Sequence, residues 1–441
     1  MNESHPHDKY FYNHYMIGLK QQGWLALPAT RSAIMFGNFF LIIMALYQLK
    51  PASRSLLLDA MNADQLPWVW VGSALVLFVS IIVYEQLLDI FDRFRLVLAT
   101  SAIFITLLVI FWLFLNGSTP FAAIAFYIFV DLFGVVMVEQ FWSLANSVYK
   151  TNEGKSWYGL IGTGGLVGGA VGSVLAGFLI KSTPIQTKDL LLVAAAIVFI
   201  ILLLTWWLGR QKIYENAELN PQLSESKRGW RYLIKSRYLL LIAAVMLMVQ
   251  LVSPMVEFQF MHVIQDLYQE REARTQALSF FFSILSVFAI AVNLIITPFV
   301  LRSFGLLAGL MVQPVSMFVA TFGFMINPGL YTASAMKISD RGLSYSINRA
   351  SKELLYIPVD PAVMYQVKGW IDMFGYRTFK IFGALIIIAL TQWTDLTPNI
   401  IDLNWVIMLG CVIWVWFLIS LYRDYRAIRR HEQGVFSVDE K

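Results

Sequence analysis

The residues of this sequence that could take part in chemistry are charged side chains inside long apolar stretches. One stretch contains Lys337, Asp340 and Arg341, and another contains Glu257 with no base within a helical turn. Bases in such places bind anions through charge-assisted hydrogen bonds. Acids there can exchange protons, because burial raises the pKa of a carboxyl group. The predicted chemistry is therefore anion binding, together with proton coupling or the making and breaking of ion pairs.

The candidate residues follow from this chemistry. Eight bases face six acids on or beside the charged stretches, which favours an anionic or zwitterionic cargo. Ion pairs with a purely structural role are the alternative for any one residue, and helix packing is the alternative for Trp142. The candidate substrate-binding residues are Lys50, Arg54, Asp131, Trp142, Asn146, Lys337, Arg341, Tyr345, Arg349, Lys352, Arg377 and Lys380. The candidate coupling or gating residues are Asp131, Glu139, Glu257, Asp340, Glu353 and Asp372.

The elements that must position these side chains are membrane helices. Of the 441 residues, 58% are hydrophobic and 14% charged, against about 25% charged in a soluble domain. Residues 96–115 and 190–208 contain no charge, and roughly 20 such positions span a bilayer. We therefore predict an all-α polytopic membrane protein. Its twelve spans are 32–50, 66–88, 96–115, 120–147, 157–180, 190–209, 238–263, 277–300, 303–326, 329–350, 369–391 and 403–422.

The loop charges predict an orientation. With the N-terminus inside, the inner loops contain Arg93, Arg95, Lys150 and Lys155, and seven more bases lie between 210 and 237. The outer loops hold five bases, so the excess places both termini in the cytoplasm. The predicted organisation is a cytoplasmic segment 1–31, a six-helix half 32–209, a cytoplasmic linker 210–237, a second half 238–422 and a cytoplasmic tail 423–441. Two six-helix halves joined in this way are the major facilitator arrangement.

Spans 10 and 5 carry the clearest local patterns. At about 100° per residue, the charged and polar residues from Lys337 to Lys352 share one half of a helix, opposite Met336 and Leu343. This predicts a cavity-lining span, and a helix lying on the membrane surface is the alternative. In span 5, glycines recur every four residues from Gly164, which predicts close helix packing.

Other classes of function lack support in the sequence. Metal-ligand spacing, a nucleophile elbow and a Walker motif are absent, so neither an enzyme nor a cofactor is expected. The single Cys411 excludes an intramolecular disulfide. The first 31 residues contain no apolar core typical of a signal sequence. They also lack the Arg- and Ser-rich, acid-poor composition of an organelle transit sequence, which favours a bacterial cytoplasmic membrane. We expect a monomer whose partners are a small, anionic solute and the lipid bilayer, with no nucleic acid.

Three blocks of sequence resemble the ATP/ADP translocase-like branch of the major facilitator superfamily. The first runs from Asp131-Leu-Phe-Gly to Gln140-Phe-Trp-Ser-Leu-Ala-Asn146, and the second contains Met255-Val-Glu257-Phe. The third, Ser351-Lys-Glu-Leu-Leu-Tyr-Ile-Pro-Val-Asp360 followed by Val367-Lys-Gly-Trp-Ile-Asp372, is the most specific. The Asp92-Arg93-Phe94-Arg95 loop is similar to the motif that the superfamily keeps after its second span.

The resemblance implies roles and also shows departures. Four positions are important for transport in nucleotide exchangers: a lysine at the end of the first span, acids in spans 4 and 7, and the lysine of the third block. The resemblance assigns these roles to Lys50 or Arg54, to Asp131 and Glu257, and to Lys352. Exchangers carry Arg-Asp-Thr-Lys-Asp after the first span, where this chain has Lys50-Pro-Ala-Ser-Arg54. They also carry Phe-Asp-Pro-Thr before the Lys-Glu pair, where this chain has Asn-Arg-Ala-Ser.

Three functions are therefore predicted from the sequence. The first is a secondary transporter of a small organic anion, either exchanging or proton-coupled. The second is an antiporter of ATP and ADP or of other nucleotides. The third is a sensor or scaffold that does not transport, which the charged span 10 argues against because a scaffold has no need of buried charges.

Overall fold

The computed structural model describes residues 28–115, 119–148, 151–211, 229–392 and 400–436, and within these ranges it contains helices and no strand. The first half of the chain forms α1 to α6, each one long helix, which matches the uninterrupted apolar sequence of these segments. Their bounds are Pro28–Ala60 (α1), Leu66–Ile90 (α2), Arg93–Phe114 (α3), Pro120–Val148 (α4), Thr151–Ser182 (α5) and Leu190–Arg210 (α6).

The second half follows a short helix, Gly229–Lys235, and contains more irregular helices. Three of its six spans include a π-helical turn, a feature often found at functional sites. The bounds are Arg237–Leu267 (α7), Arg271–Ser303 with a π turn at Val292–Ile296 (α8), and Gly305–Ile326 (α9). Helix α10 consists of Leu330–Lys337, a π turn at Ile338–Gly342 and Ile347–Leu355. Helix α11 consists of Pro361–Trp370, a π turn at Ile371–Gly375 and Tyr376–Gln392, and α12 is Ile400–Phe436.

The structure confirms the predicted fold class and corrects several boundaries. Ten helices in the described residues are long and apolar enough to cross a membrane, and α10 and α11, which are charged and broken, bring the predicted set to twelve. The first span continues through Pro51 to Ala60, so Lys50 and Arg54 lie inside α1 and not at its end. The last helix continues to Phe436, well into the predicted tail. Residues 1–27 and 212–228 lie outside the described residues.

Three helix pairs hold the halves together: α5 and α1 both pack against α8, and α2 packs against α11. Helix α7 is the most enclosed, whereas α3, α9 and α12 expose large apolar side chains such as Phe114, Val319 and Trp416. The charged helices α7 and α10 therefore lie inside the bundle, and the uncharged α3, α9 and α12 present apolar side chains outwards. We call the end where α1 meets α2 the distal end, and the end where α2 meets α3 the proximal end.

Span 10 is not the single helix that the sequence analysis assumed. Its π turn at Ile338–Gly342 is followed by a break at Tyr345 and Ser346, where the helix restarts at Ile347. The buried Gln313 of α9 bridges this region by donating hydrogen bonds to the Asp340 carbonyl (2.9 Å) and to Ser344 Oγ (2.7 Å) and accepting one from Asn348. Met336 and Leu343, on the face opposite the charges, are buried.

The glycine stripe of α5 forms the predicted close contact, and its partner is α1. A Cβ added at Gly168 would lie 2.3 Å from the carbonyl oxygen of Phe40, and one added at Gly164 would lie 2.7 Å from that of Phe36. Both obstacles are backbone atoms of α1, which cannot move aside as a flexible side chain does. The packing role predicted for this stripe is confirmed.

We predict that Gly168→Ala lowers the thermal unfolding midpoint of the detergent-purified protein, because the methyl group would push α1 away from α5. Gly162→Ala on the same helix is the matched control, since no atom lies within 4 Å of its added Cβ. That control should be neutral or should gain up to about 1 kcal/mol of helix propensity. Equal midpoints for the two variants would contradict the packing role.

The topology is tested by labelling engineered cysteines in a Cys411→Ala background. Asn62 is exposed at the distal end and Gln211 is exposed at the proximal end. We expect a membrane-impermeant maleimide to label Asn62→Cys in intact cells and Gln211→Cys in inverted vesicles, because the loop charges place the proximal end inside. The reverse pattern would overturn the predicted orientation.

Candidate functional site

A cluster of ion pairs lies where the two halves meet. Glu257 of α7 accepts from Arg54 of α1 at 3.4 Å and contacts the Lys337 ammonium of α10. Lys337 and Asp340 are buried, with side-chain exposures of 2% and 0%. The long helices α1 and α7 place Arg54 and Glu257 at the same depth, and Arg54 thereby links the N-terminal half to the C-terminal half.

Asp340 completes this cluster from the π turn of α10. Its Oδ2 lies 3.2 Å from Lys337 Nζ and 3.4 Å from Arg341 Nε, and it accepts a 2.7 Å hydrogen bond from Ser253 Oγ. The wider π turn allows Lys337, Asp340 and Arg341 to converge on one point. We call Arg54, Glu257, Lys337, Asp340 and Arg341 the central charge cluster.

A second ion pair joins the halves beside the cluster. Lys380 Nζ of α11 lies 3.7 Å from Asp131 Oδ2 of α4, which also accepts a 2.9 Å hydrogen bond from Ser73. Tyr127, one helical turn from Asp131, places its ring 5.5 Å from the Arg54 guanidinium carbon. Asp131 of span 4 and Glu257 of span 7 have no basic neighbour in the sequence, but the fold brings basic side chains from other helices next to both.

Three bases of this region remain accessible. Lys50 is partly exposed, with Nζ 4.6 Å from the Tyr47 ring centroid, and the side chains of Arg341 and Lys380 are 29% and 28% exposed. The Tyr345 side chain, four residues after Arg341, is also exposed. Lys50 belongs to α1, whereas Arg341 and Lys380 belong to α10 and α11, so accessible bases come from both halves of the molecule.

The distal end is closed by direct bonds between the halves. Arg271 donates to Asp59 at 2.9 Å, Arg274 donates to the Ser55 carbonyl at 3.1 Å, and His262 Nε2 lies 2.9 Å from Asp64 Oδ1. Gln265 adds hydrogen bonds to the α1–α2 connection. Leu57, Leu66 and Trp70 also belong to the apolar core of the other half. We call this region the distal seal.

Charged side chains are exposed towards the proximal end. Glu139 of α4, Arg349 of α10 and Asp372 of α11 are all exposed, and Lys352 is partly exposed. Lys368 holds the exposed Glu353 at 2.6 Å. Charged groups keep their hydration only where water can enter, so the proximal end is the polar end of this region.

A groove of about 580 Å³ at the distal end is a poor candidate for an anion site. Trp68 and Gln392 line it together with mainly apolar residues, and none of its lining residues is charged. The accessible cations Lys50 and Arg341 do not line this groove. In the described residues no group of three His, Cys, Asp or Glu side chains could hold a metal ion.

The structure separates the predicted site residues into groups. Five of them, Arg54, Glu257, Lys337, Asp340 and Arg341, meet at the centre, with Asp131 and Lys380 beside them. Lys50 and Tyr345 lie about one helical turn along the chain from Arg54 and Arg341. The remaining residues, Glu139, Arg349, Lys352, Glu353, Asp372 and Arg377, lie nearer the proximal end. Trp142 makes edge contacts with Phe39, Phe141 and Tyr158, which favours its packing role. Asn146 is exposed near the proximal end of α4.

Sequence reasoning missed three polar residues. Ser73, Ser253 and Gln313 hold Asp131, Asp340 and α10, and the available signal was a polar residue in the middle of an apolar span. Glu257 has no base within a helical turn in the sequence, but in the structure Arg54 and Lys337 flank it.

The sequence profile described as TLC ATP/ADP transporter matches residues 116–328 and 329–425, well over half of the chain. The chain belongs to this family. ADP,ATP carrier protein 1 of Chlamydia muridarum (strain MoPn / Nigg) is 26% identical, over 87% of this chain and 85% of the relative. The protein of the same description from Rickettsia bellii (strain RML369-C) is 22% identical, over 71% and 70%. The family is one of transporters and not of enzymes.

A comparison of solved structures supports the fold of this transporter. The crystal structure of nucleoside transporter NupG superposes with a TM-score of 0.61 at 14% identity, covering 88% of this chain and 99% of that chain. At this identity the likeness shows the fold alone, which is major facilitator-like. The transporter is a multi-pass membrane protein whose charged cluster lies between the two halves.

We predict that Glu257→Gln destabilises the purified transporter, because it leaves buried positive charge without its partner, at a cost of up to about 3–5 kcal/mol. Adding Lys337→Met should recover part of the loss, since it restores the net charge of the cluster. Glu353→Gln, which breaks an exposed pair, is the matched control and should change stability by about 1 kcal/mol or less. Additive effects of Glu257→Gln and Lys337→Met in a thermal unfolding cycle would contradict the coupling.

Proposed function

We propose that this protein is a nucleotide antiporter, which exchanges ATP, ADP or related nucleotides across a membrane by alternating access. The observation that carries the proposal is the pair of accessible cations, Lys50 and Arg341, one from each half. Phosphate oxygens bind such bases through charge-assisted hydrogen bonds. Membership of the ATP/ADP transporter family supports a nucleotide over a generic organic anion.

The geometry suggests how binding would drive the conformational change. A nucleotide entering from the proximal end meets Lys50 and Arg341 first, and behind them lie Arg54 and Lys337 in their pairs with Glu257. A phosphate group that competes for these bases weakens the bond that Arg54 makes between the halves. Ligand can shift a conformational equilibrium only through such differential contacts. Loss of this bond would favour release of the distal seal and closure at the proximal end.

We propose that the described conformation is inward-facing in a bacterial cytoplasmic membrane, with both termini in the cytoplasm. The proximal end exposes Arg210, Arg231 and Arg237, and Arg423 and Arg426 lie at the same level on α12. Such a band of bases is typical of the cytoplasmic side. The sealed distal end then faces outward, and the transporter is expected to act as a monomer.

A second candidate cargo is another small phosphorylated or carboxylated anion. The chain lacks both acids of the exchanger run after the first span, and Asn348-Arg349-Ala350-Ser351 replaces the Phe-Asp-Pro-Thr of exchangers. Arg349 is exposed in this segment. The proximal end therefore carries a positive charge at the position where exchangers have the Asp of Phe-Asp-Pro-Thr. The same cations would bind either cargo, and transport assays distinguish the two.

We predict that Arg341→Ala and Lys352→Ala abolish uptake of labelled ADP or ATP by proteoliposomes preloaded with unlabelled nucleotide. Arg341 is placed to contact the phosphates directly, and Lys352 lies along the proposed entry path. Arg302→Ala, an exposed base at the proximal end of α8, is the matched control and should transport at the parental rate.

Two outcomes would count against the proposal. If the parental protein exchanges no nucleotide but exchanges another anion, the second candidate replaces the first. If both alanine variants insert normally and transport at the parental rate, the site is misplaced. Protein content and insertion are measured for each preparation, so that a folding defect is not read as a transport defect.

A further inference from the structure

The short helix Gly229–Lys235, which we call the linker helix, has two apolar surfaces. Residues four positions apart lie on the same side of a helix, so Trp230 and Ile234 form one apolar stripe. Their exposures are 44% and 71%. Leu233 lies on another side, is 4% exposed and belongs to the apolar core. Leu233 therefore attaches the helix to the protein, while the stripe of Trp230 and Ile234 remains uncovered.

A basic stripe runs beside the exposed apolar one. Arg231 and Lys235 are also four residues apart, and both are exposed. The Arg231 guanidinium carbon lies 5.5 Å from the centre of the Trp230 ring, so the two stripes adjoin. Within the part of the chain that the structure describes, neither base forms an ion pair, whereas the nearby Arg237 pairs with Asp424 at 3.4 Å.

The backbone separates the linker helix from the spanning helix that follows it. Ser236 is extended, with φ −121° and ψ 115°, and its Oγ accepts a hydrogen bond from the Leu239 amide at the start of α7. Since an extended residue interrupts a helix, the linker helix is not a continuation of α7. It packs on α7 and on Pro361–Trp370 of α11, both in the C-terminal half. The linker helix thus lies at the proximal end, where α7 begins its passage through the membrane.

An apolar stripe beside a basic stripe is typical of a helix that lies in the membrane interface. Aromatic and aliphatic side chains then enter the boundary of the acyl chains, and the bases contact the headgroups. We propose that the linker helix docks on the bilayer and selects anionic phospholipids, with Trp230 and Ile234 inserted and Arg231 and Lys235 bound to headgroup phosphates. Zwitterionic headgroups offer no net charge to the basic stripe. Docking would hold the C-terminal half to the membrane surface at its proximal end.

The first experiment measures which lipid contacts the linker helix in a bilayer. The full-length protein with Cys411→Ala and Ile234→Cys carries a fluorophore at position 234 and is reconstituted into vesicles of phosphatidylcholine and phosphatidylglycerol in equal amounts. A nitroxide quencher is attached near the headgroup of one lipid or of the other. We expect phosphatidylglycerol to quench more strongly, because each base near an anionic surface favours contact by about fivefold.

Charge removal tests the origin of this preference. Arg231→Gln combined with Lys235→Gln should bring the quenching by the two lipids close to equality. Arg302→Gln combined with Arg426→Gln is the matched control, since it removes the same charge from exposed positions elsewhere at the proximal end. The control should keep the preference for phosphatidylglycerol.

A second measurement separates a lipid headgroup from a free anion. The thermal unfolding midpoint of the purified protein in neutral detergent is followed with short-chain phosphatidylglycerol, short-chain phosphatidylcholine or inorganic phosphate, since a ligand stabilises the state that binds it. Phosphatidylglycerol should raise the midpoint more than phosphatidylcholine, and Arg231→Gln with Lys235→Gln should remove that difference. Phosphate can bind the central bases instead, so its effect should be the same in both proteins.

Four results would overturn the proposal. Equal quenching by the two lipids in the parental protein would rule out selection of anionic headgroups. Absence of quenching by either lipid would mean that another part of the chain or another protein covers the linker helix. A preference that survives in Arg231→Gln with Lys235→Gln would place its origin outside the basic stripe. A phosphate effect that disappears in the same variant would make the stripe a site for free anions.

Discussion

The pairing of Glu257 with Arg54 and Lys337 is the interaction on which the arrangement of the two halves depends. Three charges meet there in a region that water barely reaches, so each needs the others. Because Arg54 comes from α1 and the other two from α7 and α10, the pairing holds the halves in register at their centre. If the halves move apart at this level, Arg54 loses Glu257 and needs another negatively charged partner. An anionic cargo is chemically suited to be that partner.

The distal seal depends on the same register. Once Arg54 meets Glu257, the ends of α1 and α7 lie side by side, and Asp59, Asp64 and Gln265 reach their partners on the other half. Most of these groups lie near the membrane surface, where single polar contacts are individually weak. A seal built of many weak contacts can open as a unit when the central bond is lost, while the packed core of each half stays intact.

The irregular helices lower the free-energy cost of burying charged side chains inside an apolar bundle. The π turn of α10 turns Lys337, Asp340 and Arg341 towards one another, and Gln313 binds the Asp340 carbonyl from α9. Ser253 supplies a further hydrogen bond to the Asp340 carboxylate. Buried polar groups are costly unless they are hydrogen-bonded. These neutral partners satisfy the Asp340 carbonyl and Oδ2, whereas Asp340 Oδ1 is buried without a hydrogen-bond partner among the described residues. The uncharged helices α3, α9 and α12 are left to face lipid.

The sequence by itself determined the fold class, the approximate positions of the helices and which spans carry the charged residues. Hydrophobic length and charge depletion act locally along the chain, so the uncharged span 96–115 and the charged span around Lys337 were recognisable without a structure. Only the tertiary structure decided which charges meet, because Arg54 and Glu257 are far apart in the chain and pairing depends on helix rotation and depth. It also decided that span 10 breaks at Tyr345, since the hydrogen bonds that allow the break come from α9. The physical reason for this difference is that burial follows local composition. An ion pair instead requires two distant helices to bring their side chains to one point.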